Sequence, residues 1–287
     1  MEEAIPDLEK AFFRFMGNPV KTDPMCAAKH PILESLTKLG AANSDLFLKA
    51  ARHQQWEPMW GKPEDTAATV RALGGRGLAS MRYPEAMLIL GELLLDREIE
   101  TRRITVDTFI ELGGNDAEVL LRVGALLDPM PGKEEKAPPE SIVAECLSGL
   151  MRVSPDRSIE FVAGFLDRSL EEMNGAALAI GESRHLGALP ILEKHWRTVN
   201  DPRVQSALLL PIALTRNEAA LKFLGGVLRD ADTPVALAAI DAIELFASDL
   251  EALDHIQECA SGREEESIVN ALRNLLSESW LAILPQN

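Results

Sequence analysis

Two columns of apolar residues recur along this chain at an interval close to 32 residues. That recurrence limits what the chain can fold into more than any other feature, because a fixed period of 20–50 residues marks repeat architectures. The first column is Leu88, Leu120, Ile159, Leu189, Leu221 and Leu253, with spacings of 32, 39, 30, 32 and 32. Three residues on stand Gly91, Val123, Val162, Leu192, Leu224 and Ile256; seven on stand Leu95, Leu127, Leu166, Trp196, Leu228 and Ala260. Offsets of three and seven share one helical face, so each repeat opens with an amphipathic helix, A. The second column is Val106, Leu147, Ala177, Leu209, Ile240 and Leu272. It is echoed three residues later by Phe109, Leu150, Ile180, Ile212, Ile243 and Leu275, and it marks the buried face of a second helix, B. One helix pair cannot bury its own apolar face; stacked pairs can. The pattern predicts an all-α fold, a right-handed α-α superhelix of about six clear pairs over residues 83–279.

The breaks support this reading. Asp201-Pro202 and Thr233-Pro234 place proline at the start of helix B, where its missing N–H does no harm, and Asp96 and Asp230 sit in the corresponding turns. Gly113-Gly114 and Gly181-Glu182-Ser183 close helices B. Residues 129–139, rich in proline and charge, lengthen the second repeat as an exposed loop. Before residue 83 the pattern is looser, with helices expected around Leu8–Phe15, Leu33–Leu39, Leu46–Ala50 and Ala67–Leu73. Residues 1–82 therefore form divergent capping repeats in a single solenoid domain. Leu73-Gly74-Gly75-Arg76-Gly77 is read as a helix end with a turn, because a phosphate cradle needs strand–loop–helix context.

At this point the chain resembles bacterial HEAT-repeat proteins of the short, phycobilisome-lyase-like type. The residues that carry the likeness are Asp201-Pro202-Arg203-Val204 opening one helix B, Ala177 to Arg184 closing another, and Asp96 to Gly113 with Arg102 where such repeats often carry arginine. Ala236 and Pro211 depart from it; Pro211 lies inside its helix and is expected to kink it. The stretch from Arg52 to Gly61, followed by Asp65-Thr66-Ala67-Ala68, resembles a segment of some bacterial HEAT-repeat proteins, which implies a fold and no activity.

Composition narrows function by exclusion. The net charge is −16, whereas a general nucleic-acid binder needs a basic surface, so no nucleic acid is expected as partner. Cys26, Cys146 and Cys259 are too dispersed for a disulfide framework or a zinc site. The first residues lack a signal peptide's basic and apolar regions, and no apolar run approaches the roughly 18–20 residues of a membrane span. The chain is thus expected in the reducing cytoplasm, away from membranes. The five histidines His30, His53, His185, His195 and His255 form no His-x-x-x-His motif. None is followed by Glu, so the His-Glu signature of di-iron HEAT hydroxylases is missing, and no metal or cofactor is expected. A Gly-x-Ser-x-Gly nucleophile elbow is likewise missing.

The most unusual local feature is Trp56 and Trp60, two of four tryptophans within five residues. Core filling is the commoner fate of tryptophan. The functional alternative is a loop that presents a binding pocket with Arg52, His53 and Arg71, extended by Arg103 and Asp107 on the helix B surface. The leading expectation is a non-catalytic scaffold for a protein or peptide partner on its concave helix B surface. A lyase or lyase subunit, as among HEAT-like bilin lyases, is the alternative. A third is end-to-end assembly through the apolar Trp280, Leu281, Ile283 and Leu284.

Overall fold

The computed structural model describes residues 2–127, 141–246 and 250–283. The 129–139 insertion and Leu284 lie outside these residues, as do the side chains of Leu253, Trp280, Leu281 and Ile283. By spatial contact the chain divides into two compact units, residues 1–149 and 150–287.

The first unit begins with α1 (Ile5–Met16), α2 (Pro19–Thr22), α3 (Lys29–Lys38) and α4 (Ser44–Ala51). A two-stranded antiparallel hairpin follows, β1 (Trp56–Pro58) and β2 (Pro63–Asp65), then α5 (Ala68–Ser80), α6 (Ala86–Leu93), α7 (Ile99–Leu112) and α8 (Gly114–Leu127). α9 (Val143–Val153) runs across the division. The second unit holds α10 (Pro155–Ala163), α11 (Leu170–Ser183), α12 (Ala188–Thr198), α13 (Pro202–Leu214), α14 (Glu218–Asp230), α15 (Thr233–Ile243), α16 (Leu250–Ala260) and α17 (Glu266–Ile283). The fold class is all-α, as the period required, and among the described residues the hairpin holds the only strands.

Helix B buries its column except at Leu272 of α17, which is half-buried. Val106, Leu147, Ala177, Leu209 and Ile240 are buried, and so are Phe109, Leu150, Ile180, Ile212, Ile243 and Leu275. Within the second unit α11 packs on α13, α13 on α15 and α15 on α17, which makes a continuous B layer. Side-chain oxygens cap helix starts where the turns supply them: Asn43, Asp201 and Asn217 each accept a backbone N–H, and Ser169 with Glu172 forms a capping box. Arg102, buried, donates to the carbonyls of Asp96 and Arg97, which ties off the turn after α6.

Two expectations are corrected. Helix A faces inward on its column from α10 onward, where Ile159, Val162, Leu166, Leu189, Leu221 and Leu224 are buried. In α6 and α8 the same column faces solvent: Leu88, Leu95, Val123 and Leu127 are exposed, while Ile89, Leu90, Leu93 and Ala117, Leu121, Ala125 form the core face. Both helices are apolar on two adjoining faces, so periodicity cannot choose between them and packing does. Next, the glycine run does not end a helix: Gly74, Gly75 and Gly77 lie inside α5. A Cβ on Gly74 would stand 2.3 Å from the backbone N of Ala51, and one on Gly77 would stand 2.1 Å from the Phe47 ring. These glycines let α5 pack directly on the α4 backbone. Pro211 itself lies inside α13, which extends to Leu214. Gly181 of α11 lies against that proline, where a Cβ would stand 2.2 Å from the Pro211 carbonyl oxygen.

Candidate functional site

The hairpin between α4 and α5 rests on a buried polar network that sequence periodicity does not reveal. Along residues 53–58 burial alternates: His53, Gln55 and Glu57 face in, while Gln54, Trp56 and Pro58 face out. The register pairs Trp56 with Asp65, Glu57 with Glu64 and Pro58 with Pro63. Residues 59–62 close the loop, with Gly61 at a φ of 109° that side-chain-bearing residues rarely adopt.

The inward side chains knit together segments far apart in sequence. Glu57 Oε1 accepts three hydrogen bonds, from Met25 N at 2.6 Å, Gln55 Nε2 at 2.7 Å and Thr66 Oγ1 at 2.7 Å. Gln55 Oε1 faces His53 Nε2 at 3.1 Å and accepts from the Cys26 thiol at 3.4 Å. Met25 and Cys26 both hold positive φ, 57° and 55°, a costly conformation for consecutive non-glycine residues that Glu57 and Gln55 hold in place. Asp23 accepts from the backbone of Ala28 at 2.6 Å and Lys29 at 3.0 Å, and forms a 2.9 Å ion pair with the fully buried Lys29 ammonium.

Arg71 of α5 closes the network from the other side. Its guanidinium donates in a fork to Asp96, at 2.7 and 3.0 Å, and through Nη1 to Asp65 at 2.6 Å and the His53 carbonyl at 3.0 Å. Asp65 also receives the backbone N–H groups of Gln55 and Ala67, so the base of the hairpin hangs on this arginine. Burial works against the charge on Arg71, but Asp96 and Asp65 outweigh it and raise its pKa.

Burial is also the main influence on the neighbouring acids and on His53. It pushes Asp23 and Glu57 up, yet the donors around them prevail: Ala28 and Lys29 at Asp23, and Thr66, Gln55 and Met25 at Glu57. Both carboxyls end below their ordinary values of 3.8 and 4.5. Burial pushes His53 below its ordinary 6.5, against the pull of Gln55; Lys29 and Arg71 add to the depression and Asp65 opposes it. The unfolded chain therefore takes up a proton on His53 before the folded one does. The stability that His53 contributes is present above the ordinary value of 6.5 and is lost as pH falls through 6.5 toward the folded-state pKa; a further loss begins as pH falls through 4.5 and 3.8, where the unfolded chain protonates Glu57 and Asp23 first. Denaturant unfolding of the wild type at steps between about pH 7.5 and 5 is expected to show that decline, and His53→Gln is expected to flatten it.

The outward face is apolar. Trp60 at the tip is fully exposed and Trp56 is 51% exposed, with Met59 between them also exposed. Neither tryptophan fills the core. Arg52, just past α4, is exposed beside this face, whereas His53 and Arg71 are buried parts of its support. The structure thus gathers five of the expected site residues at one corner. Arg103 and Asp107 stand apart on α7, exposed; Arg103 pairs with Glu145 at 3.1 Å. Sequence reasoning missed Asp23 and Lys29 altogether, and met Gln55, Glu57, Asp65 and Asp96 only as parts of a resembling segment and a turn, not as site residues.

Two smaller features lie in the second unit. A groove of about 310 Å³ is lined by Trp196, Phe223, Lys222, Gly226, Val227, Asp230 and Ala231, with the Trp196 ring edge-on to Phe223 at 5.2 Å. On α16, Cys259 Sγ lies 3.7 Å from His255 Nε2, a Cys–His neighbourhood four residues apart that motif searching overlooks; burial raises the Cys259 pKa. Among the described residues no group of three or more His, Cys, Asp or Glu could hold a metal ion, and no helix is long and apolar enough to cross a membrane.

No family model matches the chain, and no curated protein matches it in sequence. Solved structures do resemble it. The complex of CpcE and CpcF of phycocyanin lyase from Nostoc sp. PCC7120 aligns at 14% identity over 95% of this chain and 94% of that one, with a TM-score of 0.44. An engineered protein aligns at 14% identity over 95% and 78%, with a TM-score of 0.39. A designed armadillo repeat protein aligns at 16% identity over 95% and 98%, with a TM-score of 0.32. None of these likenesses transfers a function to this chain.

Proposed function

We propose that the chain is a non-catalytic scaffold that binds a protein or peptide partner, with the tryptophan hairpin as its anchor and the α7 surface around Arg103 and Asp107 as an extension. The observation that carries this reading is the exposure of Trp60 and Trp56 on a hairpin whose base is fixed by Arg71, Asp65 and Asp96. Large aromatics with arginine nearby are the residues most often found as binding hot spots. Pre-organisation spares the entropy that a loose loop would lose on binding. Solvating two indoles without a partner has no benefit for folding.

The buried cluster beneath offers poor catalytic chemistry. A nucleophilic cysteine needs thiolate character and access. Cys26 is buried, burial pushes its thiol pKa up, and its hydrogen is committed to Gln55. The cluster is read as support for the hairpin.

The test is capture from native lysate by the wild type and by the Trp56→Ala/Trp60→Ala variant, followed by titration of the identified protein. Both side chains are exposed, so the variant should melt with the wild type. Hot-spot losses of about 2 kcal/mol or more correspond to at least roughly thirtyfold weaker binding. Equal retention of the same protein by both would remove the hairpin from the interface.

A further inference from the structure

The apolar column that faces solvent on α6 and α8 forms a second surface. Leu88 is 70% exposed, and Leu95, Val119, Val123, Leu126 and Leu127 are all exposed as well. Scattered single apolar residues on a surface are ordinary; a contiguous set marks an interaction site. Here the set is carried by two neighbouring helices. A Cβ on Gly91 would stand 3.7 Å from Leu120, and one on Gly124 would stand 3.5 Å from Leu94, so α6 and α8 lie side by side and in the same direction. Val119, Val123 and Leu126 follow the 4–3 spacing of a helix-packing seam. Gly91, without a side chain, leaves a low floor between Leu88 and Leu95.

The charge around the stripe selects its occupant. Glu85 at the start of α6, Glu92 between its leucines and Asp116 in the first turn of α8 are exposed and carry no ion pair among the described residues. Arg122 of α8 is already paired with Glu118 at 3.1 Å, so the opposing charges are Arg82 before α6 and Arg97 beyond it, against the three acids that flank the stripe. A second copy would bring the same acids and another net −16 against them. Residues 128–140, next in sequence after α8, contain Met130 as their one large apolar side chain and so supply no matching stripe. From these observations we infer that the α6–α8 face docks an amphipathic helix of a partner protein, its apolar stripe flanked by lysine or arginine. Such a helix lays apolar anchors into the groove while its cations meet Glu85, Glu92 and Asp116.

The test uses the full chain and two labelled helical peptides of about 18 residues, one built of Leu and Lys and one of Leu and Glu, titrated by fluorescence anisotropy at physiological salt. The Leu/Lys peptide is expected to bind saturably, and the Leu/Glu peptide at least about tenfold more weakly. Leu88→Gln/Val123→Gln should weaken the Leu/Lys peptide about tenfold or more, whereas Leu186→Gln, an exposed leucine in the second unit, should leave it unchanged. Glu92→Lys should weaken the Leu/Lys peptide and strengthen the Leu/Glu peptide. Equal binding of the Leu/Lys peptide by wild type and Leu88→Gln/Val123→Gln would overturn the inference, because the attraction would then be net charge alone. Failure of the Leu/Lys peptide to bind would overturn it as well. So would a wild-type dimer in sedimentation that this double variant dissolves, since the occupant would then be a second copy.

Discussion

Arg71→Met is expected to lower the unfolding free energy by about 3–5 kcal/mol, the usual cost of removing one partner from a buried ion pair. The cost arises from what remains. Asp65 and Asp96 would face each other across an apolar methionine, and the His53 carbonyl would lose its donor. Arg71→Lys is expected to recover only part of the loss, because an ammonium cannot reproduce the two-pronged contact with Asp96 and still reach Asp65. The measurement is denaturant unfolding followed by far-ultraviolet circular dichroism, with partner binding assayed on the same samples. A loss below about 1 kcal/mol for Arg71→Met would mean that water replaces the arginine and that the hairpin does not hang on it.

Gly74→Ala is expected to destabilise the protein by about 2–3 kcal/mol even though alanine is the better helix former by about 1 kcal/mol. The new methyl would meet Ala51 N at 2.3 Å and the backbone of Ala50 and Ala51 at 2.8 Å, so a helix, rather than a side chain, would have to move. Gly181→Ala, against the backbone of Pro211, should behave alike. Gly226→Ala supplies the contrast, since nothing stands within 4 Å of its Cβ position in α14; it should stabilise by about 0.5–1 kcal/mol. The same substitution thus carries opposite signs at two helical glycines. If Gly74→Ala proved neutral in thermal and denaturant unfolding, the direct contact of α5 with α4 would be refuted.

The repeat period alone dictates the helix pairs. Apolar residues repeating near every 32 positions admit one economical burial scheme, and the B column from Val106 to Ile240 is buried as that scheme requires. Proline and acid at the turns set several helix starts for local reasons, visible without any neighbour. The hairpin corner was legible only in part. Trp56 and Trp60 stood out by rarity, and Arg52, His53 and Arg71 by proximity. The alternation His53, Gln55, Glu57 is polar, however, and periodicity arguments follow apolar residues. Only tertiary structure brings Asp23, Lys29 and Asp96 to that corner: Asp96 pairs with Arg71 across 25 positions and the Asp23 carbonyl accepts from Gln55 across 32, separations that leave no local signature. Likewise only packing decides that α6 and α8 turn Leu88 and Val123 outward, and that glycine in α5 is a contact rather than a break. Sequence sets what a helix can bury; which of two apolar faces it does bury depends on the neighbour that arrives to cover it.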